Sequence, residues 1–379
     1  MQRTISVVLD KNPAIADTIS QFNECCNFFL KLGFENRTSS KRKLQMLGYF
    51  EARKRFPKLP SALVQGARDC AHDMLKREKL QRLPTKRPYS SARFDRRTAK
   101  AFLESGTLSI TTVNGRLKVP LRVARYFDKY KGGKVISLRV RNDRGILRAD
   151  LIVDLPDVPI KAVHNPKVIG MDRGIVNTAV LSNNVFFNSK TVRNVRARYT
   201  YLVRRLQSAG TRSAKRHLCR LRGRERRFRA DVNHRIAKSV AAMEFDVLVL
   251  EDLSVKKDKK FGRRFNRKLG GWSFFQLERF LAYKLEEVGK CLVKVPPEYT
   301  SQMCSRCGNI GVRNGNNYRC GACGLRLNAD LNAARNIAKL GKALLGRPIV
   351  NGPIVASDDA GHGTSDELSY KPPILMGGS

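Results

Sequence analysis

Two Cys-x2-Cys knuckles, Cys304-Ser305-Arg306-Cys307 and Cys320-Gly321-Ala322-Cys323, are separated by a twelve-residue loop, and no other feature limits the fold of this chain as sharply. Four thiolates at that spacing reach one Zn2+ tetrahedrally, and Gly308 and Gly324, each following a knuckle, permit the tight backbone turn toward the metal. A disulfide framework is the alternative. Nothing at the N-terminus reads as a secretory signal, however, and the other cysteines stand singly or as Cys25-Cys26, so a reducing compartment and a zinc ribbon are expected. The ribbon is preceded by Tyr299-Thr300-Ser301-Gln302 and followed by Asn328-Ala329-Asp330-Leu331-Asn332-Ala333-Ala334-Arg335-Asn336, which puts an acid at the start of a helix over 331–344.

Charge limits the partners. Lys+Arg 74 against Asp+Glu 32 leaves a net +42 over 379 residues, a self-repulsion that a polyanion would relieve. Nucleic acid is the expected partner. A basic membrane-surface protein competes with that reading, but no apolar run approaches the roughly 18 residues of a spanning helix and no anchor motif is found. A soluble protein with no membrane partner is expected, cytoplasmic, or nucleoid-associated in a prokaryote.

Thr4 to Leu9 alternates like a strand with one buried face, and Asp10-Lys11-Asn12-Pro13 then supplies a helix cap and a helix-first proline. Ile15, Ile19, Phe22, Cys26 and Phe29 follow at helical spacing, with Gly33 as the stop; a second helix from Ser61 carries Leu63, Ala67, Cys70 and Met74. From Phe94 to Pro156 the period becomes two. Leu108, Ile110 and Thr112 run through Asn114-Gly115 into Leu117, Val119 and Leu121, a hairpin signal, and further strands are expected over 135–140 and 146–153. This region reads as a β-barrel to which residues 1–10 contribute a strand, with the helices inserted.

After Pro166 the pattern is α/β. Val168-Ile169-Gly170-Met171-Asp172-Arg173-Gly174 is an apolar strand that stops at an acid, and a partner strand at 178–181 completes a hairpin. Ser189 to Lys238 predicts two arginine-dense helices with a turn near Gly210, their single sign of charge favouring phosphate contact. Phe245 to Glu251 is a buried-type strand ending in Glu251-Asp252. Lys256 to Lys268 reads as a mobile basic loop, and Trp272-Ser273-Phe274-Phe275-Gln276-Leu277 as a helix start with a Ser273/Gln276 capping box and Trp272 stapled to Leu277. Phe274, Leu277, Leu281, Leu285 and Val288 form its packing face. Cys291 to Val295 is one more strand, and 347–379 is expected to be a disordered tail.

Asp172, Glu251 and Asp330 thus fall at two strand ends and a helix start of one α/β region. Hard oxygen ligands from several elements are what a pair of divalent ions needs for phosphodiester hydrolysis. Taken singly, each acid reads as a helix cap or an arginine partner, as Asp252 does. His234 lies on a basic helix without a nucleophile beside it, and no P-loop or Rossmann glycine loop is found.

Together the Gly170-Met171-Asp172 strand, the Leu248-Val249-Leu250-Glu251 strand, Tyr299-Thr300-Ser301-Gln302 with both cysteine pairs, and Asp330-Leu331-Asn332-Ala333-Ala334-Arg335-Asn336 resemble the TnpB family of transposon-encoded, RNA-guided DNA nucleases related to type V CRISPR effectors. The resemblance runs from about residue 166 to 340 and includes Asn233-His234 and the Trp272 helix. It implies an RNase H-like RuvC nuclease domain over 161–298 and 325–346, with a zinc ribbon inserted at 299–324. It also implies a β-barrel wedge domain over 1–11 and 88–160, carrying a helical recognition unit at 12–87. Asp172, Glu251 and Asp330 would bind Mg2+, while Cys304, Cys307, Cys320 and Cys323 would bind the structural zinc. A guide RNA derived from the transposon end would direct cleavage of double-stranded DNA beside a short flanking motif, with the chain acting as a monomer. Arg173, where a smaller or different polar residue is expected, and Asn328-Ala329, where Arg or His often stands nearby, depart from the family pattern. An RNA-guided repressor that binds without cutting is the alternative; a structural RNA-binding zinc-ribbon protein and a strand-joining transposase are more distant ones.

If many backbone phosphates are neutralised, affinity for nucleic acid will fall steeply, on the order of a thousandfold, between about 50 and 200 mM salt. A filter-binding titration that stayed flat over that range would exclude backbone-dominated recognition.

Overall fold

The computed structural model describes residues 1–143, 145–160, 163–253 and 274–345, which fall into two compact units divided at Asp157/Val158. The expected basic loop at 256–268, the Trp272/Ser273 cap and the tail at 347–379 lie outside the described residues.

The first unit opens with β1 (Gln2–Leu9), whose Ile5, Val7 and Leu9 alternate into the core. Helix α1 (Pro13–Glu35) follows directly: the Asn12 side chain accepts the N–H of Ile15, and Pro13 sits where a helical N–H would go unused. Gly33 does not end this helix. It is buried where a side chain would strike Leu75, and the helix runs on to Glu35. Between α1 and α3 (Ser61–Arg77) lies α2 (Lys41–Arg55), absent from the sequence reading because only Leu44, Gly48 and Ala52 of this strongly basic helix are buried. In α3 the buried face is Leu63, Val64, Ala67, Ala71 and Leu75, with Cys70 and Met74 at its margin.

Strands β2 (Ala92–Phe94), β6 (Lys134–Asp143) and β7 (Ile146–Asp154) join β1 in a four-stranded sheet ordered β1-β7-β6-β2. The first strand lies antiparallel on β7, Ile5 opposite Leu151. Strands β3 (Ala99–Phe102), β4 (Thr107–Thr112) and β5 (Gly115–Pro120) make a separate three-stranded sheet, with Gly115 at φ +95° in the β4–β5 turn. Among the described residues strand pairing does not link the two sheets, so hydrogen bonds do not close the unit into the barrel that the alternation suggests. One apolar core nevertheless spans the helices and both sheets, and Thr18 of α1 accepts the N–H of Val113 beside the β4–β5 turn.

The second unit is a five-stranded sheet ordered β10-β9-β8-β11-β12. Strands β8 (Val168–Asp172), β11 (Val247–Glu251) and β12 (Cys291–Val295) are parallel, while β9 (Asn177–Leu181) and β10 (Phe186–Asn188) add antiparallel at one edge. Parallel strands covered on both faces read as continuous apolar runs, and these do. Ile169, Met171, Leu248 and Leu250 face α5 (Arg212–Ala241) and α6 (Phe274–Glu286) through Ile236, Val240, Leu277, Leu281 and Leu285; Val288, expected to extend the packing face of α6, lies past its end and is exposed. The opposite face, Val168, Val247, Val249 and Val295, packs on Ile337 of α7 (Ala329–Leu345). Two basic helices, α4 (Lys190–Ala209) and α5, meet at Gly210, which is left-handed at φ +61°. Among the described residues no helix is long and apolar enough to cross a membrane.

Gly170 brings α7 onto the sheet. A methyl group there would strike the Ala334 carbonyl and the Ala338 backbone, and one at Gly341 would strike Val249. Gly170→Ala is expected to destabilise the chain by about 1–3 kcal/mol, the usual range for overpacking. An unchanged denaturant midpoint would show that the helix can withdraw freely.

Candidate active site and thiol cluster

Asp172 and Glu251 close adjacent parallel strands, since Met171 is registered with Leu250, so both carboxylates leave the sheet at its carboxyl end, where open α/β sheets collect their ligands. Asp330 arrives from the first turn of α7 and is 4% exposed. The Asn328 side chain accepts the N–H groups of Asp330 (2.9 Å) and Leu331 (3.2 Å), so this departure from the family pattern serves as the helix cap. The three acids share one electrostatic environment. Burial, followed by the charges of Glu251 and then Asp330, raises the Asp172 carboxyl to about 7, against partial relief from Arg313 and the N–H of Arg173.

Each acid is held by neighbours. Asn177 donates to Asp330 Oδ2 at 3.0 Å and Arg313 to Oδ1 at 2.8 Å, while the Thr300 hydroxyl donates to Glu251 Oε1. Arg173, 8% exposed, donates to the main-chain carbonyl of Glu251 at 2.6 Å and pairs with Glu278 at 2.9 Å. Of these partners only Thr300 and Arg173 stand in stretches that the sequence singles out, Arg173 as a departure from the family pattern. Arg313 is one basic residue among 74 and carried no local signal. Asp252 stays at the margin, 4.0 Å from Lys294, and His234 is occupied in packing, stacked on Phe280 with ring centroids 3.7 Å apart and hydrogen-bonded to Tyr283.

Cys304, Cys307, Cys320 and Cys323 bring their sulfurs within 4.8 Å of one another, with 3.5 Å between Cys304 and Cys323 and between Cys307 and Cys320. Four sulfurs at about 2.3 Å from a central ion lie about 3.8 Å apart, so the donor set fits a tetrahedral metal. Burial opposes ionisation of Cys304, but the N–H groups of Cys307 and Arg306 and the neighbouring thiols outweigh it and bring the thiol down to about 6. Gly308 and Gly324 adopt φ +82° and +69°, the turns expected after each knuckle. The hairpin between the knuckles is β13 (Val312–Asn314) with β14 (Asn317–Arg319), joined by β15 (Arg326–Asn328), and Tyr318 is buried beneath it.

The ribbon is fastened to the helix that carries Asp330. Asn332 donates to the Met303 carbonyl and accepts the Ser305 N–H, and Asn336, one turn later, donates to the carbonyls of Thr300 and Met303. Helix α4 has no buried residue, and like α5 it is dense in arginine.

Two outcomes are expected from this geometry. Purified protein should hold about one zinc per chain by plasma emission, and Cys304→Ser or Cys320→Ser should lose it along with local order around Asp330. Asp172 is raised from 3.8 to about 7 in the fold, so its contribution to stability is fully present below about pH 4 and is lost as pH rises through about 7. In zinc-loaded, magnesium-free protein the melting temperature should therefore fall between about pH 5 and 8. Asp172→Asn should flatten that slope, and an equal slope in the variant would assign it to other groups.

Two family models match parts of the chain. Residues 274–337 match the family described as Cas12f1-like, TNB domain, and residues 151–261 match a family described as probable transposase. A CRISPR-associated endodeoxyribonuclease Cas12f1 of Sulfoacidibacillus thermotolerans is 42% identical over 125 residues, 31% of this chain and 28% of that protein. The putative RNA-guided DNA endonuclease InsQ of Escherichia coli K12 is 31% identical over 225 residues, 50% of this chain and 55% of InsQ. A TnpB-like protein of Methanocaldococcus jannaschii is 35% identical over 127 residues, 31% of this chain and 44% of its own length. The chain thus spans between 28% and 55% of the length of these relatives. Over these segments, and in the motifs within them, the chain is similar to TnpB-like proteins and to Cas12f1 endodeoxyribonucleases.

Proposed function

We propose that the chain is an RNA-guided DNA endonuclease whose second unit is a RuvC nuclease of RNase H-like fold. The convergence of Asp172, Glu251 and Asp330 at the carboxyl end of the sheet carries this reading, because the first carboxyl is raised to about 7 by burial and by the other two. Three acids confined together invite divalent cations, and carboxylate oxygens from two strands and a helix suit Mg2+. Bound there, a pair of such ions would activate water and stabilise the leaving oxygen of a phosphodiester. The chain's own groups hold the acids ready for those ions, with Thr300 orienting Glu251, and Asn177 and Arg313 orienting Asp330. Cys304, Cys307, Cys320 and Cys323, whose sulfurs lie within 4.8 Å of one another, would hold a structural zinc.

Residues 1–11 and 88–160 serve as the wedge and 12–87 as the helical recognition unit; the nuclease takes 161–298 and 325–346, and the ribbon 299–324. A net +42 fits a protein that grips the backbones of a guide RNA and a double-stranded target while base pairing reads the sequence. The names of Cas12f1 and InsQ support the reaction class.

The test is co-expression with the native genomic flank, sequencing of the bound RNA, and incubation of the particle with a randomised-flank plasmid in Mg2+. A discrete guide RNA is expected, with cleavage that Asp172→Ala and Glu251→Ala reduce to background. Cleavage by Asp172→Ala at the wild-type rate would overturn the assignment of the site, and guided binding without nicking by the wild type would replace the nuclease with a repressor.

A further inference from the structure

Arg173 follows the first acid directly, and its side chain is only 2% exposed. A buried guanidinium must be matched by acceptors, and the fork here is divided. One prong meets Glu278 at 2.9 Å and the Phe274 carbonyl at 3.5 Å; the other donates to the main-chain carbonyl of Glu251 at 2.6 Å. Glu278 is shared, since its other oxygen meets Lys294 at 2.5 Å. The backbone N–H of the same arginine lies close enough to the Asp172 carboxylate to favour its ionised form. One residue therefore bears on both strand-end acids, following the first in the chain and binding the second at its backbone.

The location gives that contact its weight. Glu251 is the last residue of β11, and the ladder with β12 ends one residue on, where the Asp252 N–H donates to the Val295 carbonyl at 2.8 Å. An arginine serving stability alone would satisfy its fork on the carboxylate of Glu278. This one gives a prong to a carbonyl at the strand terminus from which the Glu251 carboxylate projects, anchored from behind by α6 and β12.

We propose that Arg173 is a positioning residue for the acid site: by gripping the main-chain carbonyl of Glu251 it sets the reach of that carboxylate toward divalent ions shared with Asp172. The cleavage arm of the test rests on the nuclease reading; the metal-binding arm does not.

Arg173→Gln, Arg173→Lys and the double variant Arg173→Gln/Glu278→Gln are each compared with wild type as the full chain loaded with guide RNA. Mn2+ binding is followed by its paramagnetic resonance signal, target cleavage is followed across Mn2+ concentrations, and melting is recorded alongside. Arg173→Gln is expected to raise half-saturating Mn2+ by roughly ten- to a hundredfold, the range for groups that orient metal ligands, with guide binding unchanged. Arg173→Lys keeps a charge for Glu278 but has no second prong, so it recovers melting more fully than Mn2+ affinity. The double variant removes the carboxylate that Arg173→Gln leaves buried with Lys294 as its remaining partner, so melting should recover in part while Mn2+ binding stays weak. Wild-type Mn2+ affinity in Arg173→Gln, or its return in the double variant together with melting, overturns the proposal and leaves the arginine a structural ion pair. If Arg173→Gln does not fold, the double and lysine variants decide between the same outcomes. Absence of cleavage in the wild type would sink the nuclease reading alone, and Mn2+ binding would still decide the role of Arg173.

Discussion

Three carboxylates confined to one poorly solvated corner repel one another, and much of the second unit is arranged to keep them there. Two emerge from adjacent parallel strands whose register fixes their spacing, and the third arrives at the positive end of a helix, where the macrodipole favours a negative charge. Raised to about 7, Asp172 registers the strain that remains. Neutral donors, Asn177 and Thr300, and the Arg313 guanidinium offset part of it. The chain's own groups thus compensate these acids only in part.

The thiol ribbon enters this arrangement as a brace. Its first knuckle is fastened to α7 through Asn332 and Asn336, its approach segment supplies Thr300 to Glu251, and its hairpin supplies Arg313 to Asp330. The ribbon therefore contacts two of the three acids, although its cysteines touch none of them. This explains in physical terms why a metal-binding insertion is placed between the last strand of the sheet and the last acid.

Much of this was legible in the sequence for reasons that can be named. Strands covered on both faces show as uninterrupted apolar runs, which is why β8 and β11 and their terminal acids were found, and the knuckle spacing declared the cysteine cluster outright. The amphipathic α1, with its Asn12 cap, was equally plain. Helix α2 was not, because only three of its residues are buried and its basic composition masks the period. Neither was the stop of α1: Gly33 looked like a terminator, while the fold uses its missing side chain for contact with Leu75. The alternating strands of the first unit gave no hint that they divide into two sheets, since alternation fixes which face is buried but not which strand is the neighbour. The contacts of Asn177, Arg173 and Arg313 could not be read because they depend on long-range proximity.

Gly170 and Gly341 give the seam between α7 and the sheet a mechanical character. Where helix and strand meet backbone to side chain, without long flexible side chains between them, the interface has little compliance: rotamer changes cannot absorb a shift of the helix. Close packing at this seam thus ties the placement of α7, and with it of Asp330, to the sheet itself.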